Sequence, residues 1–127
     1  VKNITPEFKY SKDTRFDFLC DKNIIEVKNV TLLRNKDLAE FPDAITARGS
    51  KHLINLINSI EKNYKPYVLF LTQIQGISNF RIAKDIDDNY YRNYKMAKKA
   101  GVKFLAYRCA LSSKEIKIEK KINIIDE

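Results

Sequence analysis

Two acidic residues and a lysine lie close together near the start of the chain, as Asp17 and the triplet Glu26-Val27-Lys28. Because side chains alternate along a strand, Glu26 and Lys28 would point to one face and Val27 to the other. If the two segments pair so that Asp17 lies opposite Glu26 or Lys28, two carboxylates and an ammonium group converge. Such a carboxylate pair can hold Mg²⁺, which binds through one or two carboxylates together with water and phosphate oxygens. The pattern indicates hydrolysis of a phosphodiester by a metal-activated water, with the lysine steering that water or offsetting negative charge.

The Glu-x-Lys triplet is a weak signal by itself, because the chain contains four of them. They are Glu7-Phe8-Lys9, Glu26-Val27-Lys28, Glu115-Ile116-Lys117 and Glu119-Lys120-Lys121. Only the second lies in an apolar strand that directly follows another strand with an acid, so its charges must face a helix layer or a cleft. The alternative is a cross-strand salt bridge on a solvated face. The local pattern alone leaves both interpretations open.

The elements that would position these residues are two short strands. Segment 15–20 is rich in aromatic residues, segment 21–23 supplies turn residues, and segment 24–33 is rich in β-branched side chains. This order predicts a β-hairpin. The polar segment 34–40 predicts a loop, from which Phe41-Pro42-Asp43 leads toward a helix.

Further along, helical and strand patterns alternate. Apolar residues at helical spacing predict a helix over about 46–64, and its opposite face presents Arg48, Lys51, His52 and Asn55. The continuous apolar run at 66–74 predicts a strand covered on both faces.

A second helix is predicted to begin after the N-cap Asp87 and to end at Gly101, with Tyr90, Tyr94 and Ala97 facing inward. Segment 102–110 predicts another buried strand, and segment 115–125 an edge strand. The order strand, strand, helix, strand, helix, strand predicts an α/β protein whose helices pack on a mixed sheet.

Length and composition predict one soluble domain over residues 1–127. The chain is 44% hydrophobic, with seven Phe and seven Tyr, and no apolar run approaches the ~18 residues that would span a bilayer. Cys20 and Cys109 lie in apolar stretches and are interpreted as buried thiols, not as a disulfide framework or a zinc site. Nothing marks the chain for secretion, so we expect a cytoplasmic protein without a membrane partner.

The formal net charge of +8 suits a polyanionic partner such as DNA or RNA, although the abundance of Lys, Ile and Asn is also typical of an AT-rich genome. No acidic residue occurs between Asp88 and Glu115. The basic residues of that interval are Arg92, Lys95, Lys98, Lys99, Lys103, Arg108 and Lys114. They are interpreted either as a contact for nucleic acid or as a solvated helix face.

Three strings resemble the sugar fermentation stimulation protein family: EVKNVTL at 26–32, FPDAITARGSKHL at 41–53 and GVKFLAYRCALS at 101–112. The likeness covers roughly residues 5–125 in the same order. That family is described as DNA/RNA nuclease-like, with the PD-(D/E)xK restriction-endonuclease fold. The resemblance therefore implies a restriction-endonuclease-like α/β fold with a mixed β-sheet flanked by helices.

The resemblance also assigns site residues. The string Arg15-Phe16-Asp17-Phe18 is similar to the family's strand with the metal-binding Asp, and Glu26 and Lys28 match its Glu-x-Lys. Glu7 lies where the family places a further acid, which implies another metal ligand. Asp43 falls in the family's FPDA string as a supporting residue, although entry into a turn and helix would also explain an Asp after Pro.

Arg48, Lys51 and His52 match the family's helix opening, and the resemblance implies contacts with nucleic acid. His52 could act as a general base, but a surface histidine that meets phosphate or solvent is the favoured interpretation. Gly49 is interpreted as a position where the backbone approaches a neighbour closely. Tyr90 and Tyr94 could stack on bases, although their helical spacing favours the core.

The sequence and the resemblance together predict a Mg²⁺- or Mn²⁺-dependent phosphodiesterase acting on DNA or RNA, with Asp17 and Glu26 binding the ion and Lys28 assisting the attack. Members of the family usually carry a small OB-like β-barrel ahead of the nuclease-like region. This chain, which begins with Val1, lacks it, so we expect an upstream OB-like domain in the full-length protein. The main alternative is a non-catalytic, DNA-binding regulator of sugar metabolism. A sugar-linked enzyme is a third possibility, but no aromatic platform or acid pair for sugar chemistry stands out.

Overall fold

The protein is represented by a computed structural model that describes residues 3–111 and 116–126, and this part forms nine strands and two helices. The strands are β1 (Ile4–Ser11), β2 (Thr14–Cys20), β3 (Asn23–Val30), β4 (Leu32–Asn35), β5 (Leu38–Phe41), β6 (Lys65–Thr72), β7 (Asn79–Ile82), β8 (Lys103–Leu111) and β9 (Ile116–Ile124). The helices are α1 (Ala47–Ile60) and α2 (Asp88–Ala100). Lys114 and Glu115, which entered the sequence predictions, lie outside the described residues.

The strands form one mixed sheet in the order β1-β2-β3-β6-β8-β9-β7-β5-β4. The pairs β3/β6, β6/β8, β9/β7 and β7/β5 are parallel, and the remaining neighbours are antiparallel. In β6, fully buried Val68 and Phe70 alternate with half-buried residues, which is typical of a strand covered on both faces. The α/β class with a mixed sheet is therefore confirmed.

The two helices begin side by side because Asp87 caps both starts. Its Oδ1 accepts a hydrogen bond from the Tyr90 N–H (3.0 Å), and its Oδ2 accepts one from the Thr46 N–H (2.8 Å). Thr46 in turn caps α1 by accepting from the Gly49 N–H (3.0 Å). At the other end of α2, Gly101 adopts φ 119°, the left-handed conformation that favours glycine. Both predicted ends of α2 are confirmed.

The hydrophobic core contains the helix residues that sequence spacing turned inward. Leu53 and Leu56 of α1 and Tyr90 and Tyr94 of α2 are buried. Burying side chains of this size stabilises a fold by about 1.5–3 kcal/mol each. The interpretation of both tyrosines as core residues is confirmed.

Several elements differ from the sequence predictions. The polar segment 34–40, predicted as a loop, contributes to the β4/β5 hairpin, because Glu40 is neutralised inside the protein by Arg34 and Arg81. Strands β1 and β7 were not predicted. Strand β9 is not an edge strand, since it pairs with both β8 and β7. Helix α1 ends at Ile60, four residues before the predicted end.

Two further points concern cysteines and membranes. Cys109 is buried as predicted, whereas Cys20 is only half-buried. Neither described helix has the length and apolarity needed to cross a lipid bilayer.

Candidate functional site

The β2/β3 hairpin brings Asp17 and Glu26 together. Its backbone ladder runs from the pair Cys20–Asn23 to the pair Phe18–Ile25, and the same register continues to Asp17 opposite Glu26. At this position the hydrogen bonds run from backbone to side chain. The Val27 N–H donates to Asp17 Oδ2 (2.7 Å), and the Asp17 N–H donates to Glu26 Oε1 (3.3 Å). The predicted convergence of the two acids is confirmed.

Glu26 is the centre of a buried charge cluster. Only 4% of Glu26 is exposed, and its Oε2 lies 2.7 Å from His52 Nδ1 and 3.1 Å from Lys28 Nζ. Lys28 Nζ also lies 3.3 Å from His52 Nδ1. We call these three residues together with Asp17 the Glu26 cluster. The predicted proximity of Lys28 to the acids is confirmed.

His52 is buried, although the sequence predicts it at the surface. It is 6% exposed, and its ring packs edge-on against Phe16 at a centroid distance of 5.7 Å. The prediction placed the buried face of α1 by its apolar residues alone. The buried face also includes small and polar residues, Gly49, Ser50, His52 and Ser59, so it is rotated relative to the apolar stripe and carries His52 inward.

The cluster gives its two carboxyl groups different proton affinities. Burial opposes ionisation of Glu26, but the hydrogen bond to His52 and the positive charge of Lys28 outweigh it and lower the pKa of Glu26 to about 2. Burial raises the pKa of Asp17; the Val27 N–H counteracts it, and the negative charge of Glu26 adds to it. Glu26 is therefore firmly ionised near neutral pH, and Asp17 is the acid of the pair that takes up a proton more readily.

Arg48 and Lys51 are exposed beside the cluster, as predicted. They line an open cleft of about 480 Å³ whose wall also includes Lys12, Arg15 and His52. Lys12 and Arg15 were not predicted as site residues. The only signal for them was the polar stretch at 12–15 between two aromatic segments.

Glu7 and Asp43 do not join the Glu26 cluster. Glu7 is exposed, with φ 49°, between the paired positions Pro6–Phe18 and Phe8–Phe16. Among the residues that the structure describes, no three or more His, Cys, Asp or Glu side chains are grouped to hold a metal ion. Asp43 is exposed in the segment between Pro42 and α1.

Gly49 and Tyr90 explain why the helix opening packs so closely. A Cβ atom on Gly49 would lie 2.9 Å from Thr46 Cγ2 and 3.1 Å from Tyr90 Cε1, so the predicted close approach is confirmed. Tyr90 is fully buried, and its hydroxyl has no hydrogen-bond partner among the described residues. Burial raises the pKa of Tyr90, and the negative charges of Glu26 and Asp87 raise it further.

The donor set fits one kind of metal ion. Asp17 and Glu26 supply two adjacent carboxylates, and this is what hard divalent cations take from a protein when water or phosphate oxygens complete the coordination. Among the described residues no third His, Cys, Asp or Glu is grouped with them to hold a metal ion, so water or phosphate oxygens would complete the coordination of such an ion. The two carboxylates therefore fit a hard divalent cation.

Comparisons with known proteins place the chain among relatives of one family. The family model described as "Sugar fermentation stimulation protein RE domain" matches residues 1–115. A Pelagibacter ubique sugar fermentation stimulation protein homolog is 61% identical over 128 residues, covering 98% of this chain and 55% of the relative. A Bartonella quintana homolog is 40% identical over 116 residues, covering 87% of this chain and 50% of the relative.

A solved structure shares the fold. The structure of Pyrococcus furiosus SfsA in complex with Ca²⁺ superposes with a TM-score of 0.84 and 25% sequence identity, covering 96% of this chain and 54% of that one. The chain thus spans about half the length of the relatives that it matches.

Proposed function

The chain belongs to the sugar fermentation stimulation protein family, and from that premise we propose that it is a metal-dependent DNA/RNA phosphodiesterase domain with a restriction-endonuclease-like, PD-(D/E)xK fold. The observation that carries the proposal is the meeting of Asp17 and Glu26 across the β2/β3 hairpin, with Lys28 on the same carboxylate. A carboxylate pair can hold an ion that activates water, and a neighbouring lysine can offset developing negative charge, so this arrangement suits metal-assisted hydrolysis of a phosphodiester.

Asp17 and Glu26 are the residues that would hold Mg²⁺ or Mn²⁺. When bound, such an ion acidifies a water ligand and offsets the charge of the phosphate. The Ca²⁺ complex of the Pyrococcus furiosus relative supports a divalent ion in this family, because Ca²⁺ and Mg²⁺ both prefer oxygen ligands.

The surrounding residues would hold the substrate and the carboxylates in place. Lys28 places a positive charge 3.1 Å from Glu26, where it also offsets negative charge on a bound phosphate. Buried His52 acts as a positioning residue, since its bond to Glu26 keeps that carboxylate ionised and oriented. Arg48 and Lys51, with Lys12 and Arg15 in the same cleft, would bind the phosphate backbone.

A second candidate is a DNA-binding regulator without turnover. The observation that favours it is that Lys28 and His52 both contact the same oxygen of Glu26. Such an arrangement is also a satisfied buried ion pair. In that case the basic cleft would bind DNA, and the Glu26 cluster would only stabilise the fold.

A cleavage assay separates the two candidates. Labelled single-stranded DNA, duplex DNA and RNA are incubated with the protein in Mg²⁺, Mn²⁺ or EDTA. The enzyme predicts cleavage that requires the metal and is lost in Glu26→Gln and Lys28→Ala. Glu119→Gln and Lys121→Ala are matched controls, because they alter an exposed triplet of the same type and should leave cleavage intact. Binding without cleavage by the wild type in either metal would favour the regulator.

Binding measurements with the same nucleic acids test the role of the cleft lined by Arg48 and Lys51. Arg48→Ala and Lys51→Ala should weaken binding of all sequences alike and each reduce the salt dependence of log K by about one. Lys36→Ala, which removes an exposed charge elsewhere, is the control. Unchanged salt dependence in the cleft variants would place the phosphate contacts on another surface.

A further inference from the structure

Tyr91 lines two adjoining cavities, and neither includes a residue of the Glu26 cluster. The larger, of about 610 Å³, is lined by Arg81, Ile82, Lys84, Asp85, Asp88, Tyr91, Ile125 and Asp126. The smaller, of about 280 Å³, is lined by Tyr91, Tyr94, Lys95, Lys98, Lys99 and Asp126. Because they share Tyr91 and Asp126, we treat them as one space, the Tyr91 cavity. Its larger part has the size of ordinary small-molecule sites.

Two ammonium groups lie over the ring of Tyr91. Lys84 Nζ is 5.2 Å and Lys95 Nζ is 5.4 Å from the ring centroid. Both distances are within the range of cation–π attraction. Since α2 supplies Lys95 and the segment before α2 supplies Lys84, the two charges are held at one aromatic side chain by different parts of the chain.

The acids of the cavity are already paired. Asp85 accepts two hydrogen bonds from Arg34, of 2.6 and 2.8 Å. Asp88 is paired with Arg92 one helical turn away. The carboxylate of Asp126 is engaged as well, by the Tyr94 hydroxyl and by Lys98.

Because those carboxylates are neutralised locally, the cavity presents a surplus of positive charge. Lys84 and Lys95 have no carboxylate within ion-pair distance in the part of the chain that the structure describes, and neither does Lys99. An anion that enters the cavity therefore meets ammonium groups without having to break an existing ion pair.

Part of the wall of the Tyr91 cavity is apolar. Ile82 and Ile125 line the larger cavity together with the Tyr91 ring. A ligand that matches this surface has a flat aromatic part joined to a phosphate. We propose that the Tyr91 cavity is a second binding site, one that takes a nucleotide with its base against Tyr91 and the isoleucines and its phosphate at Lys84 and Lys95.

The site requires a base that is not already stacked inside a duplex, because only such a base leaves a face open to an aromatic side chain. A free mononucleotide and a nucleotide unit of a single strand present the same chemistry. The inference goes beyond the proposed phosphodiesterase, since it concerns other residues and needs no metal.

The test is a titration in EDTA, so that cleavage does not interfere. The probes are adenosine monophosphate, inorganic phosphate and a fluorescent ten-residue oligothymidylate. Tyr91→Ala should weaken nucleotide binding by about tenfold, as expected for loss of one stacking contact. Tyr91→Phe, which keeps the ring, should bind within about threefold of the wild type. Inorganic phosphate alone should bind more weakly than the nucleotide.

A matched control exists for the two lysines. Lys22 and Lys62 also lie over tyrosine rings, 5.3 Å from the centroid of Tyr64 and 4.8 Å from that of Tyr10. The double variant Lys84→Ala/Lys95→Ala should lose about tenfold in affinity, while Lys22→Ala/Lys62→Ala, with the same loss of net charge, should lose less than about twofold. Equal losses in the two double variants would overturn the site and indicate attraction by net charge alone.

The remaining arms identify the source of the nucleotide and separate this inference from the proposed enzyme. Much tighter binding of the oligonucleotide, with the same sensitivity to Tyr91→Ala, assigns the site to a strand; equal binding assigns it to free nucleotides. Because every titration is run in EDTA, the dependence of binding on Tyr91 should be the same whether or not the wild type cleaves nucleic acid in Mg²⁺ or Mn²⁺. No binding of any probe, or binding that Tyr91→Ala leaves unchanged, overturns the proposal.

Discussion

Two buried glutamates of this protein, Glu26 and Glu40, are neutralised in different ways. Both are almost fully buried, at 4% and 1% exposure. Glu40 is held by the fork of Arg34, which donates to both of its oxygens (3.0 and 2.8 Å), and by Arg81 (3.3 Å). Glu26 is held by single nitrogen atoms of Lys28 and His52, and a second carboxylate, Asp17, adjoins it.

The difference distinguishes an ion pair that arginines close from one that has a second carboxylate beside it. Guanidinium groups stay protonated and match a carboxylate in a rigid, two-point geometry. Arg34 extends that geometry to Asp85 and so ties three segments together. At Glu26 the partners are the imidazole of a histidine and the ammonium group of a lysine, and neither offers the two-point fork of a guanidinium. A second carboxylate, Asp17, adjoins Glu26, whereas the two carboxylates of the Glu40 cluster, Glu40 and Asp85, are matched by the two arginines Arg34 and Arg81.

The largest expected effect is that substitution of Glu26 lowers activity, whereas substitution of Glu40 lowers stability. Glu26→Gln should lower metal-dependent cleavage by at least about 100-fold, since it removes a charge from the reacting site. Glu40→Gln should keep the activity of the folded protein but lower the free energy of unfolding by about 1–3 kcal/mol, because charged partners lose their acceptor. Cleavage rates and chemical denaturation of both variants test this, and equal loss of activity would remove the distinction.

Acid should reveal the Glu26 cluster through stability. The folded-state pKa of Glu26 is about 2, below its ordinary value of 4.5. Its ionisation therefore stabilises the protein above pH 4.5, and that contribution, on the order of 3 kcal/mol, is lost as the pH falls from 4.5 toward 2. Asp17, with a raised pKa, acts in the opposite direction.

Denaturation at several pH values from 7 to 2 checks this expectation. Glu26→Gln should lose less stability in that interval than the wild type does. Glu119→Gln, at an exposed position, should follow the wild type. A Glu26→Gln profile as steep as that of the wild type would show that another acid carries the effect.

The next expected effect is that divalent ions stabilise the protein by binding at the Glu26 cluster and not at the Glu40 cluster. At a free concentration of 100 times Kd, an ion that binds only the folded state raises the free energy of unfolding by about 2.7 kcal/mol. Mn²⁺ or Mg²⁺ should therefore raise the Tm of the wild type and of Glu40→Gln, but not of Asp17→Asn. Thermal unfolding in EDTA and in each ion measures this. A rise that persists in Asp17→Asn would place the ion elsewhere.

The smallest expected effect concerns Tyr90, whose buried hydroxyl has no partner among the described residues. Tyr90→Phe removes this group and keeps the ring that packs on Phe41. It should raise the free energy of unfolding by about 1 kcal/mol, since an unpaired buried hydroxyl costs free energy. Leu56→Ala, a cavity-forming change in the same core, is the destabilising reference. A loss of stability in Tyr90→Phe would mean that the hydroxyl has a bonding role near Glu26.

Local sequence was sufficient wherever neighbouring residues determine the outcome. The β2/β3 hairpin follows from alternating strand residues around a turn, and the register then puts Asp17 opposite Glu26. Asp87 and Gly101 mark the ends of α2 because capping is a local hydrogen-bonding and backbone preference. The family resemblance, which rests on three sequence strings in the same order, was confirmed by the family model that matches residues 1–115.

Tertiary structure decided the points at which polar groups enter the interior. Segment 34–40 looks like a loop because it is polar, yet Glu40 lies inside a hairpin once Arg34 and Arg81 neutralise it. His52 looks like a surface residue on the polar side of α1, yet Glu26 from β3 provides the partner that allows its burial. Burying a charged group costs much free energy unless it has a partner, and the partners of Glu40 lie 6 and 41 residues away.

The sequence by itself therefore determined the hairpin, both ends of α2 and the apolar core, since each depends on short-range periodicity or on backbone preferences. It left open whether Asp17 lies opposite Glu26 or opposite Lys28. Only the tertiary structure decided which charges are inside, which face of α1 is buried, and that Tyr91 lines both parts of the Tyr91 cavity while Tyr90 is fully buried. Those outcomes depend on contacts between segments that are distant along the chain. The free energy of burying a charge or an aromatic ring depends on what such contacts place beside it.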